Sequence, residues 1–113
     1  MSEELASGMI YLLEVPKKSF AGELVDRGLT EARVCIGHRR VDANYTSIAV
    51  IATALDKAPG DLVRCVVFQE ASMHFNKESL EKVWKEAQKA FEEFSKTLEE
   101  RGLAVKEGEW LIT

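Results

Sequence analysis

The sequence predicts a single α/β domain: a two-layer sandwich with a sheet of about four strands and three helices, the longest helix near the C-terminus. Three observations predict it. Short runs that are apolar on both parities, bounded by Pro or Gly, read as strands of a covered sheet. Stretches with helical spacing alternate with those runs, as in layered α/β proteins. The 113 residues, 46% hydrophobic and 30% charged, suffice for one core and not for two.

Residues 1–7 read as a frayed tail. Met9–Val15 (MIYLLEV), closed by Pro16, reads as the first strand. Ile10 and Leu12 share one face; Tyr11, Leu13 and Val15 share the other. A strand apolar on both faces is expected to be central or covered on both sides. Residues 18–27 read as a short helix, because Phe20 and Leu24 share a face and Gly28 suits the position just past a helix end. Gly22 in its middle weakens it.

Ala32–Val41 (ARVCIGHRRV) reads as the second strand. Val34, Ile36, His38 and Arg40 share one parity, and Arg33, Cys35, Gly37 and Arg39 the other. Asp42 or Asn44 can cap a helix running to about Lys57, stopped by Pro59-Gly60. Ile48, Ile51, Ala52 and Leu55 would form its buried stripe. Leu62–Ala71 (LVRCVVFQEA) reads as the third strand, with Val63, Cys65 and Val67 alternating with Leu62, Arg64, Val66 and Phe68.

The segment 77–101 predicts a long helix. Asn76 is a good N-cap, and Phe75 and Leu80 occupy the positions of a hydrophobic staple. Leu80, Trp84, Ala87, Phe91, Phe94 and Leu98 follow at alternating spacings of four and three. Glu78–Lys82, Glu81–Lys85 and Glu92–Lys96 are favourably oriented pairs along it. Gly102 ends it. Leu103–Lys106 and Glu109–Ile112 then form one bent strand or a tight hairpin around Glu107-Gly108.

Charge narrows the function classes. Fifteen Lys and Arg against nineteen Asp and Glu give a net charge of -4. That disfavours a protein that coats duplex DNA, whose affinity comes from neutralising phosphates. The cations are nevertheless uneven. Lys17, Lys18, Arg27, Arg33, Arg39 and Arg40 outnumber Glu23, Asp26 and Glu31 within residues 16–40. No stretch approaches the ~20 apolar residues of a membrane span. The acidic start lacks the basic region of a signal peptide, so a cytoplasmic location is expected. Cys35 and Cys65 then stay reduced, as structural thiols inside strands.

Catalytic and metal chemistry find little support. Cys35 and His38 are three apart on a strand and point to opposite faces, so they cannot share an ion without a bulge. Cys65 and His74 have no second close pair of ligands. A Cys–His nucleophile would need an exposed, electropositive thiol. Glu92-Glu93 and Glu99-Glu100 read as solvated helix surface. No GxGxxG or P-loop pattern is present, and no cofactor or metal is implied.

The remaining constellation is Gly37-His38-Arg39-Arg40, leading into Asn44-Tyr45. Arginine offers bidentate contacts to phosphate, and Tyr can stack on a base. The segment Arg33-Val34-Cys35-Ile36-Gly37-His38-Arg39-Arg40-Val41, with Asn44-Tyr45 after it, resembles the opening of archaeal Alba proteins. Those begin with a strand, an Ile-Gly-basic-basic turn, a Val and an Asn-Tyr that opens a helix. In outline, a small sheet with a long heptad-bearing helix also resembles the ThermoDBP-related single-strand-binding proteins of thermophilic archaea. These resemblances imply nucleic-acid binding in an archaeal thermophile, and the Glu/Lys ladders suit one.

The expectation is a non-enzymatic protein that binds single-stranded DNA or RNA rather than duplex. Arg33, His38, Arg39, Arg40 and Arg64 would meet phosphates, with Lys17 and Lys18 nearby. Tyr45 would stack, joined by Tyr11 or Phe68. The alternative is a homodimeric interaction or assembly module with no nucleic-acid role, its second copy covering a bare sheet face.

Overall fold

The computed structural model describes residues 11–40 and 46–112. Its elements in chain order are β1 (Tyr11–Glu14), α1 (Lys17–Asp26), β2 (Glu31–Arg40), β3 (Thr46–Asp56), β4 (Asp61–Ser72), α2 (Lys77–Glu100) and β5 (Ala104–Ile112). The strands form one sheet in the order β1-β4-β3-β2-β5. β3 runs antiparallel to β2 and β4, while β1 pairs with β4 and β5 with β2 in parallel. Both helices therefore sit on crossovers between parallel strands. The α/β class holds, but among the described residues there are five strands and two helices, not four and three.

The extra strand is the helix expected up to Lys57. Residues 46–56 are β3, the centre of the sheet; the capping positions Asp42 and Asn44 lie outside the described residues. A central strand is apolar on both faces, so its run of apolar residues also satisfies helical spacing. Thr46, Ile48, Val50, Ile51 and Thr53 are β-branched and favour the extended form. Pro59-Gly60 is a hairpin turn instead of a helix stop. Gly60 has φ +77°, and its N–H donates to the Asp56 carbonyl at 2.8 Å.

β1 corrects a second expectation. Its two-sided apolar character does not make it central: it is an edge strand, with Tyr11 61% and Leu12 51% exposed. Met9 and Ile10, like residues 1–7, fall outside the described residues. At the other edge, β5 is continuous through Glu107-Gly108, so the hairpin alternative is not the one adopted.

α2 matches the spacing that predicted it. Asn76 accepts from the Ser79 N–H at 2.8 Å, and Ser79 Oγ accepts from the Asn76 N–H at 2.9 Å, which closes a capping box. Gly102, at φ +85°, takes the left-handed turn that ends the helix. Ala87, Phe94 and Leu98 are buried, whereas Trp84 and Phe91 are only half-buried and Leu80 is exposed. α1 contributes Phe20 and Leu24, both fully buried. Phe20 meets Phe94 at a ring separation of 6.0 Å, so the two helices lie side by side on one face of the sheet.

Beneath them lie Val34, Ile36, Ile48, Val50, Ala52, Val63 and Cys65. Arg27, at the end of α1, clamps the helix to the β3–β4 hairpin. It reaches Glu23 at 3.1 Å, Asp56 at 3.1 Å and Asp61 at 2.9 Å. Those carboxylates, Asp61 first, raise the guanidinium pKa further and keep Arg27 charged.

Candidate nucleic-acid interface

Strand alternation sends every second side chain to the face away from the helices. On β2, Val34 and Ile36 are buried under α1 and α2, so Arg33, Cys35, Gly37 and Arg39 occupy the other face. Register aligns these residues with neighbours on every strand. Glu14, Arg64, Thr53, Arg33 and Lys106 stand in one row across all five strands. The next row holds Val66, Ile51, Cys35 and Gly108. Two further rows bring Gln69, Ala49 and Gly37 together, then Ala71, Ser47 and Arg39. A shallow concavity of about 650 Å³ runs from Glu14 and Arg64 to Arg39 and Gln69 over Ile51 and Ala49.

Charge is concentrated in the first row, on either side of Thr53, and at Arg39 in the last, with small, apolar and uncharged residues in the rows between. Arg64 donates from Nε to Glu14 at 2.8 Å. Lys106 lies 3.7 Å from Glu31. Among the described residues Arg33 and Arg39 form no salt bridge, and both are exposed. They are six residues apart on an extended strand, about 20 Å. Arg33 and Arg64 flank Thr53, about 10 Å apart across two strand spacings. Cys35 lies between the arginines, half-buried; burial pushes its thiol pKa up, against the pull of Arg33. Such a thiol is a poor nucleophile at neutral pH.

The predicted site is thus divided. Arg33, Arg39 and Arg64 share the open face. His38 is on the helix side, its ring edge-on to Trp84 at 6.1 Å. Lys17 and Lys18 begin α1, also in the helix layer, and Lys17 Nζ sits 6.0 Å above the Phe94 ring. Arg40 pairs in register with Thr46 at the end of β2. Tyr45 lies outside the described residues.

Phe68 leaves the open face through a β-bulge. Ile51 pairs with Val66 but Val50 pairs with Phe68, so Val67 is an extra residue. Before the bulge Leu62, Arg64 and Val66 face outward; after it Gln69 and Ala71 do. Plain alternation grouped Phe68 with Arg64, and the extra residue moves it under the helices, where it packs on the core. Tyr11 is exposed on the helix-side parity of β1. Neither Tyr11 nor Phe68 therefore joins the arginines on the open face, whereas Trp110 of β5 pairs in register with Gly37 of β2.

The sequence reading missed Lys106, Thr53, Ser47 and Gln69. Only strand order brings them beside the arginines. Among the described residues no group of three or more His, Cys, Asp or Glu is placed to hold a metal ion. No described helix is long and apolar enough to cross a membrane. No protein-family model, curated protein or solved structure matches the chain.

Proposed function

We propose that the protein binds single-stranded nucleic acid, DNA or RNA, across the open face of its sheet, and that it catalyses no reaction. The observation that carries this reading is the pair Arg33 and Arg39, exposed on one strand face with Arg64 beside them. Guanidinium groups at that spacing can hold two separated phosphates of one extended strand. The shallow floor of Ile51, Ala49 and Cys35 between them suits the flat face of an unpaired base. The overall charge of -4 favours a compact contact over tracking along a duplex.

The test is a fluorescence-anisotropy titration with short single-stranded DNA, single-stranded RNA and duplex at two salt concentrations. Single strands should bind more tightly than duplex. Arg39→Ala should weaken binding more than Arg40→Ala and reduce the log–log salt slope by about one. Flat curves with all three probes would overturn the reading, as would a double mutant at 33 and 39 that binds like the parent.

A second reading, a homodimer that covers this same face, is favoured by its apolar margin. Leu12, Leu55 and Val66 are 51%, 43% and 38% exposed there. Sedimentation equilibrium separates the two readings. A dimer whose dissociation follows Leu55→Lys, with no binding of nucleic acid, would select the second.

A further inference from the structure

We propose that β5 accepts an extended basic peptide segment of another protein as a sixth strand, seated in the groove between β5 and α2. β5 is an edge strand: it pairs with β2, and among the described residues its outer edge has no partner. An open edge is a template for a further strand, and a groove beside it selects the side chains of that strand.

Such a groove is present. Two contiguous concavities of about 700 and about 300 Å³ lie between α2 and the β5 side of the sheet. They share Ile36, Trp84, Gln88 and Glu109. The floor is apolar, with the half-buried rings of Trp84 and Phe91 facing the space. The rim is acidic. Glu81 and Glu92 line it from the helix, and Glu107 and Glu109 from the strand. Lys85 is the only lysine or arginine among the described lining residues.

Charge decides the occupant. A second copy pairing β5 against β5 about a two-fold axis normal to the sheet must keep each residue on its own face. Centred on Gly108, that pairing sets Glu107 opposite Glu109. Centred on Glu107 or Glu109, it sets two glutamates directly opposite. Centred on Lys106, it opposes two lysines. Like charges directly across a strand pair are destabilising, so the stretch Lys106–Glu109 resists pairing centred on itself with its own copy. A strand with cations at alternate positions meets the reverse situation. Its cations would recur every ~6.6 Å, the spacing of Glu107 and Glu109 on one face. Lys or Arg stems would lie along Trp84 and Phe91 with their heads at the carboxylates.

The test uses a fluorescein-labelled nine-residue peptide of alternating Lys and Thr, with blocked ends. The comparators are the same peptide with Glu for Lys, and one in which a central Thr is replaced by Pro. Anisotropy gives affinity, and amide hydrogen exchange reports on β5. The Lys-Thr peptide should bind and slow exchange of β5 amides that are unpaired in the free protein. Glu107→Lys with Glu109→Lys should weaken it at least about tenfold and admit the Glu-Thr peptide. Glu107→Gln with Glu109→Gln, a milder change at exposed positions, should weaken it less. Arg33→Ala with Arg39→Ala should leave it unchanged, which separates this surface from the open face. Absence of binding, equal binding of the Pro peptide, or binding without protection of β5 would overturn the proposal.

Discussion

The two faces of the sheet are built from the same strands and obey different rules. On β2, Val34 and Ile36 lie beneath α1 and α2, nearly sealed from water, while Arg33 and Arg39, on the opposite parity of the same strand, stand exposed. On β4, Val63 and Cys65 are sealed, and Val66 is 38% exposed. The covered face is a close-packed layer in which volume is critical. The open face keeps its charged side chains in the row of Arg33 and Arg64 and at Arg39, with mostly small or aliphatic ones in the rows between. One face supplies stability, and the other is left available for binding.

The largest expected effect lies on the covered face. Phe94→Ala removes a ring that packs against Phe20 and should cost ~3–5 kcal/mol in chemical denaturation. Trp84→Ala should cost less, because Trp84 is half-buried at the groove and not sealed as its helical spacing suggested. Equal losses would place the groove inside the core and end its role as a docking surface.

The next effect appears only at alkaline pH. Burial pushes the Cys65 thiol up to about 12, from an ordinary value of 9.0. The unfolded thiol therefore ionises first, and the unfolded state releases a proton that the folded state keeps. Stability is full below pH 9 and declines from there toward 12. A Cys65→Ala variant should show a shallower decline across that window in denaturant midpoints measured stepwise in pH. An unchanged slope would mean that the covered face is wetter than its packing indicates.

Asn76→Ala should cost about 1 kcal/mol, since it removes the side chain that caps α2. The smallest effect belongs to the open face, where Val66→Ala should change stability by less than about 1 kcal/mol. A loss as large as that of Phe94→Ala, growing with protein concentration, would show the open face covered by a second copy. That result would also select the dimeric reading over nucleic-acid binding.

The sequence-derived expectations were strongest where one local pattern had one solution. The spacing from Leu80 to Leu98, the Asn76 cap and the Gly102 stop specified α2 to within a residue of its observed end. The alternation of β2 correctly separated Arg33 and Arg39 from Val34 and Ile36. Residues 46–56 had two solutions. Ile48, Ile51, Ala52 and Leu55 fit a helix, while the β-branched residues fit a strand. Ala49, Ile51 and Leu55 on the open face removed the polar alternation that would have distinguished them.

The sequence by itself determined the α/β class, the long C-terminal helix and the opposite facing of neighbours along β2. These follow from local periodicity and backbone stereochemistry. Only the tertiary structure decided that β3 is the central strand, that β1 and β5 are the edges, and that Glu14, Arg64, Thr53, Arg33 and Lys106 form one row. It also decided, through the bulge at Val67, that Phe68 leaves the face Arg64 occupies. Strand order and register arise from pairing between distant segments, and one inserted residue reverses every side chain beyond it. No window along the chain contains that information.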